Sequence, residues 1–121
     1  MIKIAVGGLN KLEMEQSIKK AGKDQVEVIV TNDMAGAKML KSGEVNYYFG
    51  ACNSGGGAAI SILIGMIGYS KCVTIAKNGQ QPKKDEIEKY VKEGKTVFGM
   101  AIEAIEVGAP ILIDVILNNI S

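Results

Sequence analysis

No histidine occurs anywhere in this chain, and each of its 14 basic residues is a lysine. Without histidine, the usual neutral-pH acid/base is missing. Without arginine, no planar fork can grip a phosphate or carboxylate through two parallel bonds. Any chemistry must therefore draw on Cys, Lys, Asp, Glu, Tyr, hydroxyls and backbone amides. Charge excess is missing too: the net charge is +1. No strong field draws the chain to nucleic acid or anionic lipid. No basic run is interleaved with aromatics, which argues against a nucleic-acid role. Met1 to Val6 lacks the long apolar core of a signal peptide. The longest apolar runs are too short and too glycine-rich to span a bilayer. The expectation is a soluble, cytoplasmic protein with no membrane partner and with no metal or cofactor.

What is present argues for a folded chain. There are only two prolines, and hydrophobic residues make up 47%, well above disordered composition. The 121 residues suffice for one domain with a real core, spanning 1–121. Strand and helix signals alternate from end to end. Ile2–Val6 reads as a first strand, followed by a turn at Gly7–Asn10. Lys11–Ala21 has helical spacing of Leu12, Met14, Ile18 and Ala21, with Gly22 as its C-cap. Val26–Val30 is a second strand. Asn32 and Asp33 cap a helix over Met34–Lys41, which Ser42-Gly43 ends.

Val45–Ala51 is a third strand and Gly56–Ile67 a third helix. Cys72–Ala76 is a fourth strand, and a polar loop runs from Lys77 to Pro82. Lys83–Lys92 is an amphipathic helix and Thr96–Met100 a fifth strand. Pro110 fits the first turn of a final helix. Five βα units in series predict an α/β fold: a three-layer (αβα), Rossmann-like domain with a five-stranded, mostly parallel sheet.

The stretch Cys52-Asn53-Ser54-Gly55-Gly56-Gly57 falls where the third strand turns into the third helix. An open α/β sheet binds ligands at such a point. Asn53 to Gly57 can offer successive backbone N–H groups to an anion, aided by the helix N-terminus. Ser54 offers a hydroxyl and a helix cap. Cys52 stands near the positive end of that helix. The helix alone supplies up to about 2 kcal/mol, so a strongly activated thiolate needs a further cation, and Lys77 is nearest by topology. The competing reading makes Cys52 a small buried residue and the glycines a tight turn. The same sheet edge should also carry Asn10, Asn32, Asp33 and Glu103. Cys72 is a core residue at the opposite edge. If the third and fourth strands are neighbours, roughly 16 Å separates the sulfurs, beyond disulfide reach. Two free thiols are expected, as in a reducing compartment.

The segment Ala58–Ile67 is apolar all round and needs cover on every side. A homodimer through or near this helix would supply it.

Several of these stretches carry a resemblance. Asn32-Asp33-Met34, Tyr47 to Ser61, Ile67-Gly68-Tyr69 and Thr74 to Lys77 closely resemble the YhfU-like family of uncharacterised bacterial proteins. That likeness implies no activity. More remotely, the second half resembles sugar-phosphate isomerases of the ribose-5-phosphate isomerase B and galactose-6-phosphate isomerase type. Their loop reads Cys-Gly-Thr-Gly-x-Gly, matched here by Cys52, Ser54, Gly55 and Gly57. The resemblance implies Cys52 as the proton-moving base and Ser54–Gly57 as an anion cradle. The Asp-His pair, ring-opening histidine and phosphate-binding arginines of those enzymes have no counterpart in this chain. The expected function is binding of a small anionic or phosphorylated metabolite at Cys52–Gly57, with Asn10, Asn32, Asp33 and Lys77 around it. The alternatives are an aldose–ketose isomerase-like proton transfer by Cys52, or a non-catalytic partner subunit.

Overall fold

The computed structural model describes residues 1–120. Five parallel strands form one sheet: β1 (Ile2–Gly8), β2 (Val26–Val30), β3 (Tyr47–Cys52), β4 (Cys72–Ala76) and β5 (Val97–Ala101). Their spatial order is β2-β1-β3-β5-β4. Five α-helices alternate with them: α1 (Lys11–Gly22), α2 (Asp33–Ser42), α3 (Ser61–Ile67), α4 (Lys84–Lys92) and α5 (Ile105–Asn119). The expected α/β architecture, with helices on both faces, is what forms.

Each face has its own core. On one side α1, α4 and α5 bury Met14, Ile18, Ile87, Leu112 and Ile113 against Val6, Phe49 and Phe98. Phe49 and Phe98 meet edge to face at 5.8 Å. On the other side α2 and α3 bury Ala37 and Leu63 against Ala5, Tyr48 and Val97. Successive strand residues point to opposite faces, so Tyr48, Gly50 and Cys52 share the α2/α3 side. Parallel strands covered on both faces need nearly continuous apolar sequence. β5 meets that demand, with all five residues buried.

The chain turns outward from β1 to β2, then crosses back to β3 on the far side of β1. Loops that leave β1 and β3 therefore diverge at the C-terminal edge, where a crevice forms. β3 pairs with β5, not with β4, so the condition under which the sulfur separation was argued does not hold. The cysteine separation survives. Cys52 pairs with Ala101 at one end of β5 and Cys72 with Val97 at the other. Both thiols are free.

Other boundaries moved for local reasons. Gly22 is not the cap of α1. It lies within the helix, where a Cβ would stand 2.5 Å from Val26, and Lys23, at φ 51°, ends the helix instead. Asn32 caps α2 as expected, accepting the Ala35 N–H at 2.8 Å, and Gly43 closes it at φ 85°. The third helix is shorter than Gly56–Ile67. A 3-10 turn at Ala58–Ile60 precedes α3, because the glycines hold the chain in a turn before any helix begins. Pro110 sits inside α5 rather than in its first turn. Among the described residues, no helix is long and apolar enough to cross a membrane.

Candidate functional site

The Cys52 loop is tied down at both ends of its path. Gly8 of β1 lies against the Ala51 carbonyl, so closely that a Cβ would overlap it, and the Leu9 N–H bonds that carbonyl at 2.8 Å. Further on, the Asn78 N–H donates to the Ser54 carbonyl at 2.9 Å. Gly55 has φ 70°, and a Cβ there would stand 2.7 Å from both Ala101 N and Ala76 O. Only glycine fits this position. The loop thus crosses the end of β5 and reaches the exit of β4, beside the Lys77 backbone.

Within the loop, the amides turn inward onto the cysteine. The Gly55 N–H donates to Cys52 Sγ at 3.1 Å. Burial pushes the Cys52 thiol up. Hydrogen bonds from the amides of Gly55, Ala59 and Ser54, and from the Ser54 side chain, outweigh it and lower the thiol below its ordinary value of 9.0. Hydrogen bonds to the charged form favour that form. The Gly55 N–H is thus turned onto the protein's own sulfur rather than outward. Lys77, the cation expected near the thiol, follows directly on β4. Its backbone N–H is capped by Gln80 Oε1 at 2.8 Å and its side chain is exposed. Ser54 is not a helix cap. Its Oγ accepts the Gly56 N–H at 3.1 Å inside the loop, and Gly57, at φ 104°, precedes the 3-10 turn. Asn53 and Gly56 are exposed at the loop surface.

Asn32 and Asp33 stand at the start of α2, across β1 from the Cys52 loop. Asp33, half buried at the start of α2, accepts the Tyr48 O–H at 2.7 Å. Burial first, then the hydrogen bond to Asp33 and its negative charge, push the Tyr48 hydroxyl far above its usual range. Asn32 and Asp33 line a cleft of about 260 Å³ together with Gly8, Lys11, Met34 and Ile62. Lys11 reaches back to the Thr31 carbonyl at 2.6 Å. Asn10 takes a left-handed turn at φ 55° and donates its side-chain amide to Glu13 at 3.0 Å, so its side chain is tied to the start of α1. Glu103 accepts the Gly79 N–H at 3.0 Å and so closes the β4 loop onto β5.

β2 and β3 flank β1, and neighbouring strands lie about 4.8 Å apart. The Cys52 and Asp33 ends of the crevice are therefore roughly 10 Å apart. A larger groove of about 490 Å³ runs between α1 and α5, lined by Glu13, Ser17, Lys20 and Glu106 among others. It is a furrow between two packed helices, away from the strand ends. The strand-end cleft is the stronger candidate because it lies at the switch point of the sheet, although none of its lining residues belongs to the Cys52–Gly57 loop.

Tyr48 fills a sheet face, fully buried; sequence reading missed its bond to Asp33 and the place of Lys11 at the cleft. The period-two run Tyr48-x-Gly50-x-Cys52 was the available signal for Tyr48, since it puts the ring on the face that carries the thiol. Lys11 follows Asn10 directly and carried no such pattern. Among the described residues, no cluster of three or more His, Cys, Asp or Glu side chains could hold a metal.

Fold and site together define an open, doubly wound α/β protein with a thiol at its switch-point crevice. The chain belongs to the family described as "Protein of unknown function DUF2620", whose model matches residues 2–116. It is 45% identical over 114 residues to the uncharacterized protein YhfU of Escherichia coli strain K12, covering 94% of this chain and 97% of that protein. The YhfU protein of Shigella flexneri matches to the same extent. Among solved structures, the fold is similar to that of ribose-5-phosphate isomerase B from Giardia lamblia, with a TM-score of 0.69 and 15% identity. That match covers 96% of this chain and 94% of the isomerase, and it bears on the fold alone.

Proposed function

We propose that this chain, as one domain over 1–121, binds a small anionic or phosphorylated metabolite in the crevice between the Cys52–Gly57 loop and Asp33. In this reading Cys52 is the proton-transfer group. The observation that carries it is the Gly55 N–H turned onto Cys52 Sγ at 3.1 Å. A thiol that only filled space would need no such donors. With its anion stabilised, Cys52 is a better base than an ordinary thiol, in a chain with no histidine to take that role. Lys11 and Lys77 provide positive charge at this edge for the ligand's anionic group. Asn10, Asn32, Asp33, Asn53, Ser54, Gly55, Gly56 and Gly57 form the rest of the surround. The isomerase whose fold is similar is named for a sugar phosphate, and that class supplies the first ligands to try.

Binding and chemistry are tested separately. Calorimetric titration with sugar phosphates should show binding by the wild type and its loss in Gly56→Val. Gly56 is exposed, and a Cβ there meets only Ser54 Oγ, at 3.1 Å, so the variant fills the loop surface without disturbing the core. Unchanged binding in that variant overturns the loop assignment. For a ligand that binds, solvent deuterium should enter its carbon skeleton and fail to enter in Cys52→Ser.

The same reading includes a homodimer through or near Ala58–Ile67. Leu63 of α3 is fully buried, whereas Ile62 is 38% exposed and Gly65 faces open space. This outer face is what a second copy would cover. Light scattering should give twice the chain mass, and Ile62→Asp should halve it; a monomeric wild type removes the dimer. Two free thiols accord with a reducing, cytoplasmic setting.

A further inference from the structure

Tyr48 is fully buried in β3, packed in the core under α2 and α3. Three glycines clear the space around it. A Cβ at Gly36 would stand 2.6 Å from ring Cε2, and one at Gly50 would stand 2.9 Å from Cε1. A Cβ at Gly7 would overlap the hydroxyl and stand 3.2 Å from Asp33 Oδ1. Elements β1, β3 and α2 thus each give up a side chain around a single hydrogen bond.

A buried tyrosine needs one polar partner, and a backbone carbonyl would serve. Here the partner is a carboxylate at the open edge of the sheet, 2.7 Å away. The backbone of Asp33 is fixed as well, because Asn32 caps the helix that Asp33 begins. Asp33 lines the 260 Å³ cleft beside Lys11, whose amine is anchored on the Thr31 carbonyl.

We infer that Tyr48 is a positioning residue: by binding Asp33 Oδ1 it holds the carboxylate with its second oxygen toward the cleft, as a fixed acceptor for a ligand hydroxyl. The ligand class this selects is a polyhydroxylated metabolite. A site built to bond a hydroxyl rejects the analogue that lacks it, since its own polar group is then left unpaired. A rigid acceptor does this better than a freely rotating one, because no side-chain freedom is lost on binding. The inference rests on the metabolite site proposed above and adds how that site chooses among ligands.

Calorimetry with ribose 5-phosphate and its 2-deoxy and 3-deoxy analogues tests it on wild type, Tyr48→Phe and Asp33→Asn. The wild type should prefer the full sugar over one deoxy analogue by about tenfold or more, the scale of a charge-assisted hydrogen bond. Tyr48→Phe keeps the ring and should bind that deoxy analogue as the wild type does, with the preference cut to about threefold or less. Asp33→Asn should also cut the preference. A purely structural role would lower the unfolding midpoint of Tyr48→Phe and leave the preference intact, which overturns the inference. Should Tyr48→Phe fail to fold, Asp33→Asn decides by the same criterion. Wild type that binds all three sugars equally overturns the inference and leaves the metabolite site standing. Wild type that binds none overturns both.

Discussion

Cys52 and Cys72 stand at opposite ends of one sheet, and their sulfurs are treated in opposite ways. Cys52 Sγ accepts a hydrogen bond from the Gly55 N–H at 3.1 Å. The Cys72 S–H instead donates to the Gly68 carbonyl at 3.3 Å. At Cys52 burial raises the thiol, but the amide donors prevail and the net shift is downward. At Cys72 burial dominates and the nearby Lys95 only partly offsets it, so the net shift is upward. Residue type and chain length are shared. The difference lies in which end of a parallel strand each occupies. At the C-terminal edge the turn at Gly55 brings its N–H to the sulfur. The entry of β4 offers a carbonyl. Burial therefore predicts an inert cysteine only where no amide donors converge.

The largest expected break in this contrast comes from Gly55→Val. Its Cβ would meet Ala101 N and Ala76 O at 2.7 Å, on a backbone at φ 70°. Overpacking and a strained φ together cost about 2–5 kcal/mol, read as a lower urea midpoint. Reactivity of Cys52 toward iodoacetamide should fall with it, while Cys72 stays slow. Next in size is the contrast in the native wild type. Cys52 should alkylate at least about tenfold faster than Cys72 at pH 7.5, since exposure and thiolate character both favour it. In urea the two rates should converge. Peptide mass spectrometry separates the sites.

Stability against pH sharpens the comparison through its sign. The lowered Cys52 value stabilises the fold above the unfolded thiol's pKa, and this is lost as pH falls through the folded value. The raised Cys72 value stabilises the fold below the unfolded pKa, and this is lost as pH rises through the folded value. Cys52→Ala should therefore lose more stability at pH 9 than at pH 7, and Cys72→Ala more at pH 7 than at pH 10, by urea unfolding. Smallest is Ser54→Ala, which removes one hydroxyl from the sulfur's surroundings. It should slow Cys52 alkylation only a few-fold at neutral pH.

Much of this was readable in the residues. Alternating apolar strands and capped helices announced the α/β sheet, and Cys72–Ala76 forms with the boundaries its sequence suggests. The position of Cys52–Gly57 at a strand exit followed from the same alternation. Strand order did not, since nothing local says that β5 inserts between β3 and β4. The direction of the loop amides was also hidden. Glycines announce that a backbone can turn, and only the long-range contacts of Gly55 with Ala101 and Ala76 decide which way. Tyr48–Asp33 was hidden because 15 positions separate the partners in sequence, and the clearing by Gly7, Gly36 and Gly50 exists only in three dimensions.

The pH profile of Cys52 alkylation in the native chain, with Cys72→Ala as background, tests the central claim most directly. An amide-held thiolate predicts a midpoint below the ordinary 9.0, moving upward in Gly55→Val. A midpoint at or above that value, or one unchanged by Gly55→Val, would contradict it.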